Sequence, residues 1–336
     1  MTQTNPMRLS ILIVTYNSTA LIGSLLDHLD AELTRSFDLH TEGVSAEVIV
    51  VDNASQDDSF IHITSHYPWV KAIRSDLNLG FAAGNNLAAK QAHGQYLLLL
   101  NPDALPKPGA LKAGVELMDK HPEVGLGGGE LLSLDSSRQV CARRFPTLLD
   151  EFFRLSGLAC RFPKHPLFAR FMRGADDPTV SGEVDWITGA FVFIPAVLFE
   201  EFGGFDQRFF MYFEEVDLCK RMRASGLVVL YWPQLKCLHI GGASARTLGT
   251  EHFSQANAQI ERWRLRSYLL YYRKQHGWRG AWCAYGLERL FCSLRKCKAR
   301  LLASPAEAAA YAAYGALLDR AWRDTSGGRL SPTQPW

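Results

Sequence analysis

Three runs of almost unbroken apolar residues, Leu9–Thr15, Glu47–Asp52 and Tyr96–Leu100, each end on or beside a polar or small side chain. Short runs without polar alternation suit strands covered on both faces, which is the condition of a parallel sheet. Between them, Ala20–Leu33, Ser59–His66 and Gly84–His93 have helical spacing, so the first hundred residues read as repeated βα units. The fold class is therefore α/β, a Rossmann-like, mainly parallel sheet flanked by helices. Sheets of this kind hold their ligand beyond the carboxyl ends of the strands, which singles out Thr15–Asn17, Asp52–Ser55 and Asn101–Asp103. Further along, Val184–Pro195 and Val228–Trp232 read as strands, and Ala196–Phe202 and Glu215–Ser225 as helices. Ser136–Glu183, rich in Arg, Phe and Pro, reads as a partly helical excursion that shapes a cleft. From about Gln255 onward the pattern is helical.

Charge divides the chain as well. Residues 1–245 carry 21 Lys/Arg against 28 Asp/Glu, a net of −7, whereas residues 246–336 carry 15 against 6, a net of +9. Two regions follow: an α/β domain at 1–245 and a basic, aromatic helical extension at 246–336. In the extension Trp263, Arg264, Arg266, Tyr268, Tyr271, Tyr272, Arg273 and Lys274 interleave cations with aromatics. Such a stretch either lies in a membrane interface or packs as a buried or dimer-forming helix. The seven cysteines form no CxxC pair and no zinc-like spacing, which fits a reduced cytoplasmic compartment. No stretch reaches the about 18 apolar residues that a membrane crossing needs.

Several motifs carry chemistry. In Leu100-Asn101-Pro102-Asp103 a very apolar strand runs into a carboxylate, which either holds Mg²⁺ or Mn²⁺ against a diphosphate or merely closes an Asn-Pro turn. Asp52 ends another strand and either accepts hydrogen bonds from a base or ribose or caps a helix. Asn78–Asn86 places small residues, Gly84 among them, before a helix whose N-terminus favours phosphate, but it is neither a GxGxxG nor a Walker loop. Glu214-Glu215-Val216-Asp217 supplies three acids at a helix start, one of which could be a general base. His239 ends a strand-like segment before Gly241-Gly242, as a ligand or as a structural residue.

Taken in order, Ile13–Asn17, Val51–Ser55, Asn78–Asn86, Leu100–Asp103, Trp186–Ala190, Glu214–Asp217 and His239–Gly242 resemble the family 2 inverting glycosyltransferases of GT-A fold. The likeness is to their bacterial rhamnosyltransferase-like branch and spans roughly residues 8–245. The resemblance implies that Thr15, Tyr16, Asn17, Asp52, Asn78, Gly84, Asn85, Asn101 and Asp103 bind the nucleotide sugar. It also implies that Asp103 and His239 hold Mg²⁺ or Mn²⁺, with Asn101 where the family's metal motif usually has its first acid. Glu215 would be the base, and Trp186, Gly189, Glu214 and Asp217 would line the acceptor side. The implied reaction moves a sugar, dTDP-rhamnose favoured and UDP- or GDP-sugars the alternatives, onto a glycan or lipid-linked acceptor. The implied setting is the cytoplasm, with contact to the cytoplasmic face of the inner membrane through the C-terminal helices or with a homo-oligomer, and without nucleic acid. A nucleotidyltransferase lacks support because no Gly-rich, Lys-bearing loop lies between Ile11 and Ser24, and an inactive homologue would have lost acids that are present here.

Overall fold

The computed structural model describes residues 7–37, 46–240 and 253–332. The three apolar runs become β1 (Leu9–Thr15), β2 (Ala46–Asp52) and, after β3 (Lys71–Arg74), β4 (Tyr96–Leu100). β1 pairs in parallel with both β2 and β4, with Thr15 opposite Asp52, so the polar ends of the runs share one edge of the sheet. The connecting helices α1 (Thr19–Phe37), α2 (Ser59–His66) and α3 (Gly80–Ala89) follow the helical spacing, although α3 begins four residues before Gly84.

The second half of the sheet is mixed. After β5 (Ala104–Pro106) and α4 (Ala110–Lys120) come β6 (Val124–Leu132), β7 (Arg138–Gln139) and β8 (Ala142–Arg143). Then follow β9 (Gly182–Glu183), β10 (Trp186–Ile187), β11 (Phe191–Pro195) and β12 (Val228–His239). The strand order is β3-β2-β1-β4-β11-β6-β12-β5, with β11 antiparallel to both neighbours and β12 parallel to β6. The run Val184–Pro195 is thus two strands rather than one, and Val228–Trp232 continues through a bulge to His239. β6 has a glycine-rich centre because its neighbours demand it: a Cβ on Gly127 would fall 2.0 Å from the Trp232 ring. Two further helices complete this part, α7 (Ala196–Glu201) and α8 (Glu214–Ala224).

By contacts the chain divides into two units: residues 1–143, 177–206 and 215–247, and residues 144–176, 207–214 and 248–336. The second holds α5 (Leu148–Ser156), started by a Thr147–Asp150 capping box, α6 (Leu158–Arg161), α9 (Phe253–Leu301) and α10 (Pro305–Asp324). Gly277, at φ 67°, breaks α9 into two stretches with a left-handed backbone that glycine adopts without a Cβ penalty. Trp263, Arg266, Tyr268, Tyr271 and Tyr272, expected either at a membrane or in a packed interface, are buried. Phe213 packs on Tyr271 and Tyr268 on Tyr272, so this stretch is a packing face of the helical unit. Among the described residues no helix is long and apolar enough to cross a membrane. All seven cysteines are unbridged.

Candidate active site

At the shared edge of β1 and β2, Thr15 and Asp52 are fully buried. The turn after each strand is built by side chains of the other. The Asn17 N–H donates to Ser55 Oγ at 2.9 Å, and Asn17 Oδ1 accepts the Gln56 N–H at 2.8 Å, with Asn17 in a left-handed conformation at φ 50°. Asp52 Oδ2 accepts the Ser55 N–H at 3.1 Å. Asp52 is not the helix cap, because α2 starts only at Ser59. Its Oδ1, and the Thr15 hydroxyl beside it, are buried without a hydrogen-bond partner. Leaving a buried acceptor unmet costs about 1–3 kcal/mol. Two such atoms stand at adjacent strand ends. Tyr16 lies between them in sequence, half-buried.

The Asn78–Asn86 stretch is held internally. Asn78 Oδ1 accepts the Gly80 N–H at 3.0 Å, and the Asn85 amide donates to the Phe81 carbonyl at 2.9 Å. Gly84 and Asn85 therefore lie one turn inside α3 rather than at its start. Gly84 lets the helix approach β1, since a Cβ there would fall 2.8 Å from Val14 Cγ1.

The end of β4 gives the densest convergence. The Ala104 N–H donates to the Asn101 carbonyl, closing the Asn-Pro turn, and β5 then pairs with the last residues of β12, His239 opposite Ala104. The Ile240 N–H donates to the Asp103 carbonyl, fixing the two segments together. As a result His239 Nε2 lies 3.4 Å from Asp103 Oδ1 and 3.3 Å from Asn101 Nδ2, with Asp103 and His239 both buried. Of the two sequence alternatives the turn is present, and its carboxylate lies against the imidazole.

Gln139, on β7, is a residue that the motifs did not single out. Its amide nitrogen donates to the His239 carbonyl at 2.6 Å, which leaves its oxygen to face His239 Nδ1 at 2.9 Å. An amide oxygen only accepts, so Nδ1–H donates to it, and Nε2 is the ring nitrogen that faces Asn101 Nδ2 and Asp103 Oδ1. Ligands to metals are commonly oriented by such a partner on the far ring nitrogen. A carboxylate oxygen and an imidazole nitrogen are donor types that divalent cations take. Among the described residues no group of three His, Cys, Asp or Glu side chains could hold one, so protein donors beyond this pair are not supplied.

On the adjoining side, the Asn101 N–H donates to the Ala190 carbonyl, tying the Trp186–Ala190 segment to the same strand end. Trp186 is buried under the Arg143 guanidinium, which lies 4.9 Å from its ring centre and donates to Thr188 Oγ1 at 3.1 Å. Burial draws Arg143 below its ordinary basicity, while the Glu215 carboxylate acts the other way. Gly189 faces Phe81, and a Cβ there would stand 3.9 Å from that of Glu215. Glu215 thus shares a neighbourhood with Gly189 and Arg143. Glu214, first residue of α8, is buried. Asp217 is committed elsewhere: it pairs with Arg221 at 2.9 Å, and Arg221 also donates to the Phe202 and Gly204 carbonyls, bracing the Gly203-Gly204 turn. The Asn86 side chain clamps the same turn through both Phe205 backbone groups. Gly241 and Gly242 lie outside the described residues.

Residues 10–146 match Glycosyl transferase family 2. The chain is 28% identical over 276 residues to the rhamnosyltransferase WbbL of Escherichia coli, covering 78% of this chain and 91% of that protein. It is 27% identical over 223 residues to the N-acetylglucosaminyl-diphospho-decaprenol L-rhamnosyltransferase of Mycobacterium tuberculosis, covering 63% and 71%. Among solved structures, the mannosyltransferase PcManGT of Pyrobaculum calidifontis, in complex with GDP-Man and Mn²⁺, aligns with a TM-score of 0.52 at 17% identity over 97% of this chain and 89% of its own. At that identity the likeness concerns the fold, which is GT-A.

Proposed function

We propose that this chain, a glycosyltransferase carrying a family 2 domain at residues 10–146, moves rhamnose from dTDP-rhamnose onto a glycan or lipid-linked acceptor with inversion at the anomeric carbon. The observation that carries the site is the convergence of Asn101, Asp103 and His239 at the carboxyl end of β4. The names of both relatives speak for rhamnose, and one of them names a diphospho-decaprenol acceptor. UDP- and GDP-sugars are the alternative donors.

In this reading the buried oxygens of Thr15 and Asp52 accept from the nucleoside, with Tyr16, Asn17 and Asn78 bordering it. Asp103 and the Nε2 of His239 would hold Mg²⁺ or Mn²⁺, and the Asn101 amide would donate to a phosphate oxygen of the donor. The chemistry of that cation, when bound, is to offset the charge that grows on the leaving diphosphate. Glu215 takes the proton of the acceptor hydroxyl as its oxygen attacks the sugar, and Trp186 and Gly189 form the wall against which the acceptor lies. Asp217, bound to Arg221, braces the base's helix instead of touching the acceptor, and the buried Glu214 precedes the base.

The test is a panel of nucleotide sugars offered to the purified protein with Mg²⁺, Mn²⁺ or EDTA. Metal-dependent release of dTDP from dTDP-rhamnose alone is expected. Release of UDP or GDP instead would replace the donor, and binding of no nucleotide sugar under any condition would overturn the reading.

A further inference from the structure

The stretch of α9 after Gly277 has its amphipathicity reversed. The residues of this stretch fully buried within the helical unit are small or polar, Ala281, Ala284, Glu288, Cys292 and Ala299, while Tyr285 and Phe291 pack half-buried against Trp322 and Phe152. Large apolar side chains point outward as two pairs four residues apart, Trp278 with Trp282 and Leu290 with Leu294, separated by Gly286, each more than half exposed, and Leu301 follows at 86%. Trp278 and Trp282 stack on one another, with ring centres 6.4 Å apart, while both stay exposed. Single exposed apolar residues are ordinary, but a ridge of such pairs marks a surface that is covered in use.

The charge around the ridge indicates what covers it. Arg279, Lys298 and Arg300 are exposed on the same stretch. Its only acid, Glu288, is turned inward and paired with Arg154. The whole unit carries 21 Lys/Arg against 10 Asp/Glu by sequence. A ridge of Trp and Leu rimmed by cations, without an exposed carboxylate, complements an anionic bilayer surface: indole rings favour the headgroup level and leucines the acyl boundary beneath.

We propose that the Trp278–Leu301 face of α9 docks the protein on anionic membrane, lying in the interface without crossing it. This goes beyond the donor and acceptor chemistry and does not depend on it. The cations set the preference for negative headgroups, and the tryptophan pair and leucines supply the apolar anchorage.

The experiment is co-sedimentation of the full chain with phosphatidylcholine vesicles, with and without phosphatidylglycerol, together with tryptophan fluorescence. Binding to the phosphatidylglycerol vesicles is expected, with a blue shift of the emission. Trp278→Ser with Trp282→Ser should weaken partitioning by about tenfold or more. Lys298→Glu with Arg300→Glu should weaken binding to the anionic vesicles by about tenfold, leaving only the weak binding seen without phosphatidylglycerol. Leu77→Ser, at an exposed apolar residue of the other unit, should change nothing, and circular dichroism of each variant verifies folding. Undiminished vesicle binding by the folded tryptophan variant would overturn the proposal. So would a native dimer in sedimentation equilibrium that ignores vesicles and that the same variant makes monomeric. Because the readout is lipid partition, failure of the glycosyltransferase reading would appear only in the nucleotide-sugar panel.

Discussion

In the sheet unit, Thr15 and Asp52 keep buried oxygens without hydrogen-bond partners at the strand ends, whereas in the helical unit one set of buried carboxylates is met by arginines. There Arg154 meets Glu151 at 2.7 Å and also Glu288, Glu288 accepts from the Tyr314 hydroxyl, and Arg170 pairs with Asp150. Partial desolvation would lower the basicity of the part-exposed Arg154, yet these two glutamates hold it above its ordinary value. The sheet unit is acidic, with 24 Asp/Glu against 15 Lys/Arg, and the helical unit basic, yet net charge is not what separates a site from a scaffold. Between these two places the difference is whether the protein itself completes the polar groups it buries, and the completed set ties α5 to α9.

The comparison is broken or sharpened most by Glu215, the proposed base. Glu215→Gln keeps size and removes basicity, so turnover should fall by about a thousandfold while the donor dissociation constant stays within about twofold. Rate and calorimetric titration together check this, and an equal loss of binding would move Glu215 into the donor pocket. In the helical unit Arg154→Met should do the reverse. It leaves the inward Glu288 without its cation, so denaturant unfolding should show a loss of about 3 kcal/mol. Soluble-acceptor turnover of the folded fraction should be unchanged, and a folded Arg154→Met enzyme without activity would show that this network also serves the reaction.

Gln139 tests the same contrast at a smaller scale. Gln139→Leu removes the acceptor that fixes the proton on His239 Nδ1, so the Mn²⁺ concentration for half-maximal turnover should rise by about ten- to a hundredfold. The rate at saturating Mn²⁺ should recover, which a merely misfolded site would not do. An unaltered metal requirement would leave Gln139 as a strand contact only.

Much of the strand-end half of this site is legible in the amino-acid sequence. Thr15, Asp52 and Asn101–Asp103 terminate apolar runs, and because neighbouring parallel strands run in one direction, their ends meet at one edge. The second half is less legible for physical reasons. β6 hides under glycines needed for the approach of Trp232, so it lacks the β-branched signature of a strand. Gln139 sits on a two-residue strand, too short to have a period, and its importance comes from a partner 100 residues away. Asp217 resembles Glu215 in the acidic run, and only the i,i+4 contact to Arg221 tells them apart. The aromatic and basic residues at 263–274 fit a membrane face or a core equally well, since composition does not say which side of a helix is covered. The exposed ridge is found after Gly277, where burial rather than composition reveals it.

The smallest effect has two signs. Asp52→Asn retains an oxygen to accept from the Ser55 N–H and puts an amide N–H₂ where the unmet carboxylate oxygen now lies. Without ligand the substitution removes a buried, half-satisfied charge, so the protein should gain about 1 kcal/mol against unfolding. With ligand it replaces an acceptor by a donor facing the ligand's own donor, so the donor sugar nucleotide should bind about tenfold more weakly. Thermal unfolding with and without dTDP measures both at once: the variant should melt higher alone and gain less from the nucleotide. If it melts lower in both conditions, Asp52 is a structural residue like those of the helical unit, and the open oxygens at β1 and β2 do not mark the nucleotide's place.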